Sequence, residues 1–248
     1  MRVSQLCLPL LLVAGCATAA GTGVGDDDPI DARSDGGSST DAPQVVDAPL
    51  PTDAPPPVDA PAVQTVTLSQ SSSMAITALH TVACSNQTTG FTAENSYYRA
   101  FRLADFGVTN AFTATRVDVG IEQATGVGGS QSMQVKVYTV AGTFPAGVLT
   151  QIAGQLVTVP DSATNTVMQI PLAPAGLAPA GSTVVVEAFI PDGRAIGNVL
   201  YLGSNAAAES GPTYLRAPDC GSTQPQPISA LVSPDPQVHV VLTVTGTH

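Results

Sequence analysis

The segment "FTATRVDVGIE" (112–122) alternates apolar and polar side chains, and places Val117, Val119 and Ile121 on one face of an extended chain. A two-residue period of this kind is typical of a β-strand that buries one of its faces. The segment "SMQVKVYTV" (132–140) has the same alternation, and a glycine-rich stretch separates the two segments. Both are therefore predicted to be strands that pack against a core.

Similar short runs, rich in valine and threonine and bounded by turn-forming residues, continue through the rest of the chain. The runs are 65–70, 74–83, 96–103, 112–122, 132–140, 154–159, 166–172, 183–190, 199–204, 213–217 and 238–246. No stretch has a sustained helical period, which excludes a parallel α/β fold. Short strands at this spacing predict an all-β domain over residues 63–248, built as an antiparallel β-sandwich or jelly roll.

A different kind of sequence precedes this domain. The stretch "DAPQVVDAPLPTDAPPPVDAP" (41–61) repeats Asp-Ala-Pro every six residues. Proline favours extended backbone, the evenly spaced carboxylates repel one another, and few large apolar side chains are present to be buried. Residues 16–62 are therefore predicted to be a disordered Asp/Pro-rich tether. A calcium-binding repeat or a Pro-rich recognition motif is the alternative, but calcium loops cluster their carboxylates around a turn-forming glycine.

The chain opens with "MRVSQLCLPLLLVAG" (1–15), in which Arg2 precedes a short apolar run that ends on small residues. This order is typical of a secretory signal peptide, and the run is far too short to remain as a membrane-spanning helix. Residues 1–15 are therefore predicted to be a signal peptide, and the remainder of the chain is expected to be exported.

Residues 13–16, "VAGC", resemble the lipobox of bacterial lipoproteins. The resemblance implies cleavage before Cys16 and attachment of lipid to its sulfur, so that the protein is held at the membrane. Ala17 stands where an Asp would signal retention in the inner membrane, which favours the outer membrane of a bacterial envelope. An ordinary signal peptide, cut near Ala17 or Ala19, is the alternative.

The formal net charge of −11 is unevenly distributed. Residues 17–63 carry nine Asp and one Arg, whereas residues 64–248 carry ten acidic and six basic residues. The domain is thus nearly neutral, and its cations are too few and too widely spread to form the basic surface that holds nucleic-acid phosphates. We therefore expect no nucleic-acid partner.

Three segments of the domain carry a further resemblance. They are "NSYYRAFRLADFGV" (95–108), "YLGSNAAAESGPTYLRAPDCG" (201–221) and "VHVVLTVTG" (238–246). In their residue composition and their order along the chain, they resemble a non-catalytic β-sandwich module of secreted and surface bacterial proteins. This module is often appended to subtilisin-type proteases. The resemblance covers nearly all of residues 64–248 and implies a sandwich without catalytic activity. It implies no particular ligand.

The sequence has no G-x-S-x-G, H-E-x-x-H or C-x-x-C motif, so we predict no catalytic residues, no metal site and no cofactor. His80 and His239 lie in strand-like runs and are interpreted as ordinary sheet residues. Asp118, Glu122 and Glu187 are interpreted as solvated strand positions rather than as the facing carboxylates of a glycosidase. A small hydrolase on the same scaffold is the alternative.

Binding is the function that the sequence favours. Sugar rings stack on exposed aromatic side chains, and the absence of Trp leaves Tyr97, Tyr98, Tyr201 and Tyr214 as candidate ligand contacts. Because Tyr97 and Tyr98 are adjacent in a predicted strand, one of them is expected to face outwards. The polar loop 203–212 is either a binding loop or a surface connection. We expect an outer-membrane or cell-surface lipoprotein that binds a glycan or a protein or mediates adhesion at the cell surface. A passive envelope component is an alternative.

The precursor has four cysteines, Cys7, Cys16, Cys84 and Cys220. Cys7 lies in the predicted signal peptide and Cys16 is the predicted lipid site, so two cysteines remain in an exported domain, where oxidation is favoured. A Cys84–Cys220 disulfide is therefore predicted. The alternative is two free thiols that lie too far apart to join.

Overall fold

The computed structural model describes residues 62–232 and 237–248. The predictions for the signal peptide (1–15), for Cys16 and for nearly all of the tether (16–62) fall outside these described residues. In the described part, the strands are β1 (Thr65–Leu68), β2 (Asn95–Arg102), β3 (Phe112–Thr125), β4 (Ser130–Ala141), β5 (Val148–Pro160), β6 (Thr166–Ala178), β7 (Thr183–Ile190), β8 (Val199–Leu202), β9 (Ser204–Asn205), β10 (Tyr214–Ala217), β11 (Ser222–Pro227), β12 (His239–Val240) and β13 (Leu242–Thr247). Within the described residues, helix is confined to α1 (Ile228–Leu231) and three short 3₁₀ turns elsewhere in the domain.

The strands form two large antiparallel sheets and a small one. The five-stranded sheet has the order β1-β13-β3-β6, with β8 also paired to β3, and the six-stranded sheet has the order β11-β10-β2-β7-β4-β5. The small sheet pairs β12 with β9. Every pairing is antiparallel. The prediction of an all-β antiparallel sandwich is confirmed.

The core lies between the two large sheets. Val117 and Val119 of β3 and Val135 and Val137 of β4 are fully buried and belong to one apolar cluster. They are the alternating residues of the two segments that predicted the fold, and the two strands come from opposite sheets. Burial of each such side chain contributes about 1.5–3 kcal/mol relative to exposure, so the alternation sets which faces meet.

The prediction of a strand over residues 74–83 is wrong, because this stretch is irregular and pairs with no sheet. The serines before it turn the chain locally: the backbone N–H of Ser71 donates to Ser69 Oγ, and that of Ser73 donates to Ser71 Oγ. Such side-chain bonds compete with sheet pairing. The segment instead packs against the chain between β8 and β9, where Ile76 contacts Gly203.

Two edges of the six-stranded sheet also differ from the prediction. Strand β5 begins at Val148, six residues before the predicted run, and its first half pairs only with β4. Strand β11 has no predicted counterpart, since its sequence "STQPQP" contains prolines at 225 and 227. Proline is tolerated at a sheet edge, where the missing N–H would face away from the neighbouring strand. Strand β11 is such an edge strand.

Cys84 and Cys220 form a disulfide, as predicted. Their Cα atoms lie 5.9 Å apart and their sulfurs 2.04 Å apart. The bond links the loop before β2 to the turn between β10 and β11 across 136 residues of sequence. It therefore fastens the edge of the six-stranded sheet to the beginning of the domain.

Strands β4 and β5 form a long hairpin at one side of the six-stranded sheet. Strand β4 pairs with β7 only as far as Thr139, although it pairs with β5 up to Ala141. A register shift immediately before Tyr138 marks a β-bulge, a feature that bends strands. Residues 140–149, which we call the β4–β5 arm, therefore extend beyond β7 as a two-stranded hairpin, and the ring of Phe144 near its tip packs against Tyr98 and Tyr214.

Candidate functional site

The strand register places four polar and aromatic side chains in a row on the outer face of the six-stranded sheet. Tyr214 of β10 lies opposite Tyr98 of β2, Tyr98 lies opposite Glu187 of β7, and Glu187 lies opposite Lys136 of β4. Residues directly opposite each other in antiparallel strands point to the same side of a sheet. Since the alternating neighbours Val135 and Val137 point into the core, this row points away from it.

Glu187 is the centre of the row and is only 4% exposed. The Tyr98 hydroxyl donates to its Oε1 at 3.0 Å, and the Tyr138 hydroxyl donates to its Oε2 at 2.6 Å. The Lys136 ammonium lies 3.3 Å from the same Oε2. A buried charge is tolerated when it is paired and hydrogen-bonded, and three donors meet that requirement here.

The expectation that the strand carboxylates are solvated is wrong for two of them. Glu187 is covered by its long cross-strand neighbours, and Asp118 is 6% exposed beside Arg116, whose Nε lies 2.8 Å from Oδ1. The third, Glu122, is half-buried, and its Oε1 accepts a hydrogen bond from the Leu79 backbone N–H. These three carboxylates lie on different parts of the sheets and form no facing pair.

The two phenols around Glu187 hold their protons firmly. Burial, and then the negative charge of Glu187, raise the pKa of Tyr98. Burial, and then the hydrogen bond to Glu187, raise the pKa of Tyr138. Both hydroxyls therefore remain neutral and donate to the carboxylate, and their oxygen lone pairs can only accept hydrogen bonds from another molecule.

Aromatic rings surround this polar centre. The Phe144 ring of the β4–β5 arm lies 5.6 Å from the Tyr98 ring and 4.8 Å from the Tyr214 ring, with an edge-to-face angle of 89° to Tyr214. The Lys136 ammonium lies 4.7 Å above the centre of the Phe189 ring, which is a favourable cation–π geometry. We call this surface the aromatic face. Its members are Tyr98, Lys136, Tyr138, Phe144, Glu187, Phe189 and Tyr214.

The next row of the sheet extends the aromatic face. It contains Phe189, Gln134 and the 66% exposed Leu156, which are direct cross-strand neighbours. At the other end of this row Arg216 pairs with Glu94 at 2.6 Å. Each cation of the region thus has a carboxylate partner, so the face combines exposed apolar surface with hydrogen-bonding groups and little net charge.

The structure brings together two of the four predicted tyrosines. Tyr98 and Tyr214 lie on the aromatic face, and Tyr98 points outwards as strand alternation requires, but Phe144 covers it and leaves it 6% exposed. One ring of this pair thus faces outwards, as expected, but it is not exposed to solvent. Tyr97 is fully buried and donates to the Val82 carbonyl at 2.9 Å. Tyr201 lies in the other sheet and donates to a loop carbonyl.

Sequence reasoning did not identify Lys136, Tyr138, Phe144, Glu187 or Phe189 as site residues. One signal was present, since Lys136 is the only lysine of the chain. The others required knowledge of strand order, because β7 lies between β2 and β4 although it follows β4 in the sequence. Phe144 required knowledge of how the β4–β5 arm packs, since its ring contacts Tyr98 and Tyr214, which are distant in the sequence.

A second polar cluster lies inside the sandwich, around Arg99 of β2. This side chain is fully buried, yet all five of its N–H donors are used. The acceptors are the carbonyls of Gly211 and Val240 and the side chains of Gln70, Glu209 and Thr213. Arg99 therefore fixes the 203–212 loop, which the sequence left open as a binding loop or a connection, to the core.

A pocket of about 300 Å³ adjoins this cluster. It is lined by Ala208, Glu209, Pro212, Thr213, Ile228, Ser229, Gln237 and Val238. Its lining carboxylate, Glu209, forms an ion pair with Arg99 at 2.8 Å, and Thr213 accepts from the same guanidinium at 2.6 Å. Glu209 and Thr213 are thus engaged in holding the loop.

The two histidines of interest occupy different environments. His80 belongs to the irregular segment rather than to a strand, and its Nδ1 lies 3.0 Å from the Ser204 hydroxyl. Ser204 is fully buried and donates to the His80 carbonyl at 2.8 Å, so it is not exposed for attack on a substrate. His239 lies in β12, as a sheet residue, and is 1% exposed.

Comparison with protein-family models, with curated proteins and with solved structures found no match to this chain. In residues 62–232 and 237–248, no three His, Cys, Asp or Glu side chains are grouped as they would be to hold a metal ion. In this described part of the chain, no helix is both long enough and apolar enough to cross a membrane.

Proposed function

We propose that this chain is a lipid-anchored binding protein of the bacterial cell envelope, and that its sandwich domain holds a neutral glycan on the aromatic face. The observation that supports it best is the row of Tyr214, Tyr98, Glu187 and Lys136, flanked by Phe144 and Phe189. Binding sites combine apolar and aromatic surface with a few fixed polar groups, and this surface has both.

The chemistry of the face favours a sugar over a charged ligand. The rings of Phe189 and Tyr214 are partly exposed, and aromatic faces pack against the C–H side of a pyranose. Lys136 is balanced by Glu187 and Arg216 by Glu94, so neither an anion nor a cation gains a free counter-charge. A neutral, polyhydroxylated molecule matches the combination of ring surface and paired polar groups.

The anchoring part of the proposal comes from the sequence. The lipobox resemblance at residues 13–16 implies lipid on Cys16, Ala17 favours the outer membrane, and residues 16–62 are predicted to be a disordered Asp/Pro-rich tether. The described chain enters the domain through β1, at the edge of the five-stranded sheet. The aromatic face lies on the other sheet, so the point of entry does not obstruct it.

Affinity electrophoresis tests the binding function. The full-length chain, purified in a non-ionic detergent, is run through native gels that contain mannan, galactan, xylan or a β-1,3-glucan, with polygalacturonate as an anionic control. We expect at least one neutral polysaccharide to retard the protein, and polygalacturonate to retard it less.

A matched pair of variants assigns that retardation to the aromatic face. Phe189→Ala removes a half-buried ring from the face, whereas Phe91→Ala removes a half-buried ring from a loop outside it. Phe189→Ala should abolish most of the retardation and Phe91→Ala should leave it unchanged. Migration unaffected by every neutral polysaccharide would contradict the proposal, and would favour a protein ligand or a passive envelope role.

A further inference from the structure

Lys136 and Tyr138 present two complementary groups at one point of the aromatic face. Both contact the same atom, Glu187 Oε2, at 3.3 Å and 2.6 Å respectively. The ammonium nitrogen and the phenol oxygen therefore flank that carboxylate oxygen. Both side chains are partly exposed, 24% for the Lys136 side chain, while Glu187 itself is buried beneath them.

The hydrogen-bonding roles of the two groups are fixed by Glu187. The Tyr138 proton is committed to the carboxylate, so its oxygen can only accept a further hydrogen bond. The ammonium of Lys136 has three N–H groups and no acceptor, so the N–H groups not used on Glu187 can only donate. A molecule bound at this point must donate to Tyr138 and accept from Lys136 at neighbouring positions.

A pair of hydroxyls on adjacent carbons meets this requirement, since each hydroxyl both donates and accepts. The Phe189 ring lies 4.7 Å from the Lys136 ammonium, so a partly exposed aromatic side chain adjoins the polar pair. We propose that Lys136 and Tyr138 recognise a vicinal diol of the glycan, with Glu187 as the positioning residue that fixes the direction of both hydrogen bonds. This proposal rests on the proposed function and specifies its ligand.

The charges of the site argue against other small groups at this point. An anionic group would lie against the carboxylate of Glu187, and a cationic group would lie against the ammonium of Lys136. A single hydroxyl would have to serve both protein groups with one oxygen atom, whereas a vicinal diol gives Tyr138 and Lys136 a hydroxyl each.

Periodate provides a direct test, because it cleaves the carbon–carbon bond of a vicinal diol to two aldehydes, which borohydride then reduces to alcohols. Hydroxyls remain after this treatment, but their adjacent arrangement is lost. The full-length chain is run through gels containing mannan, galactan or xylan, each before and after treatment. A linear β-1,3-glucan has no vicinal diol within its chain and serves as an untreated negative control.

We expect the treated polysaccharides and the β-1,3-glucan not to retard the protein. Lys136→Met and Tyr138→Phe should each weaken binding to the untreated polysaccharide by about tenfold or more, the typical effect of losing one polar contact. Arg194→Met removes a cation and Tyr201→Phe removes a phenol hydroxyl elsewhere in the domain. Both variants should bind the polysaccharide as the wild type does. Melting temperatures of all four variants establish that each is folded.

The outcomes separate the two proposals. If no neutral polysaccharide retards the wild type, the proposed function itself fails. If a polysaccharide binds but periodate treatment has no effect, or if Lys136→Met and Tyr138→Phe bind it normally, glycan binding stands and recognition of a vicinal diol is contradicted.

Discussion

The ring of Phe144, at the tip of the β4–β5 arm, lies edge-on to the ring of Tyr214 at 4.8 Å. Phe144 lies in the turn after β4, and Tyr214 lies in β10, which is separated from β4 by β7 and β2 in the sheet. This contact therefore holds the arm across the outer face, and it explains why Tyr98, which lies between them, is covered.

Phe144→Ala should loosen the arm. The lost aromatic contacts lower the free energy of unfolding by roughly 2–3 kcal/mol, below the usual cost for a phenylalanine in a core, because an arm can relax more easily than a core. The chain has five Tyr and no Trp, so its intrinsic fluorescence comes from tyrosine. Acrylamide quenching should rise in the variant as Tyr98 becomes exposed. Unchanged quenching and stability would show that the arm is not held by this ring.

Arg99→Met should be strongly destabilising, by about 3–5 kcal/mol, because it leaves buried acceptors without their donor. Glu209→Gln, in which a partly exposed partner keeps a hydrogen-bonding group, should cost about 1 kcal/mol. Arg102→Met removes an exposed pair with Asp105 and should have no measurable effect. Urea unfolding of the three variants tests this order. An Arg99→Met variant as stable as Arg102→Met would contradict the role of Arg99 in fixing the loop.

His239 should make the domain less stable in acid. Burial, and then the positive charge of Arg99, lower its pKa from 6.5 to about 3. The unfolded chain binds the proton near pH 6.5 while the folded chain does not, so this contribution is intact above that pH and is lost as the pH falls towards 3. The slope is up to about 1.4 kcal/mol per pH unit. Unfolding free energies measured from pH 7 to pH 4 should fall less steeply in His239→Gln. Equal slopes would be inconsistent with a neutral buried His239.

The Cys84–Cys220 bond should contribute substantially to stability. It closes a loop with a sequence separation of 136 residues, for which the chain-entropy model gives about 4–5 kcal/mol as an upper value. The Cys84→Ser/Cys220→Ser double variant should unfold at correspondingly lower urea concentration, and peptide mass spectrometry of the unreduced wild type should show the linked pair. Two alkylatable thiols in the wild type would refute the bond.

Cys16→Ala should release the protein from the membrane. Each buried methylene of an acyl chain adds about 0.8 kcal/mol of membrane affinity, and several chains together anchor a lipoprotein firmly. Fractionation of cells that express the wild type and the variant measures the change, with radiolabelled palmitate as a second readout. A variant that stays in the membrane fraction would show that another segment anchors the chain.

The sequence was sufficient for the fold class because strand period and burial are linked: residues such as Val117 and Val135 alternate in the sequence and are buried in the structure. The disulfide followed from the predicted export of the chain and from the number of cysteines. The segment 74–83 misled because it is a short run rich in apolar and β-branched residues, while the serine-based turns before it direct the chain away from sheet pairing.

The aromatic face was only partly predictable. Tyr98 and Tyr214 were found from residue type, since both are among the five tyrosines of a chain without Trp. The association of Lys136 with Glu187 depends on β7 lying next to β4, and a period within one strand carries no information about which strands are neighbours. The cover provided by Phe144 depends on its contact with Tyr98, a residue distant in the sequence, which the local sequence did not reveal.

The most direct measurement of glycan binding at the aromatic face uses Lys136, the only lysine of the chain. The full-length protein is acetylated with an amine-reactive ester, with and without the neutral polysaccharide that retards it most, and the peptide containing Lys136 is quantified by mass spectrometry. We predict that saturating polysaccharide slows acetylation of Lys136 severalfold, while the same mass of a non-retarding polysaccharide does not. An unchanged rate of acetylation at saturation would place the glycan elsewhere and contradict the assignment of the aromatic face.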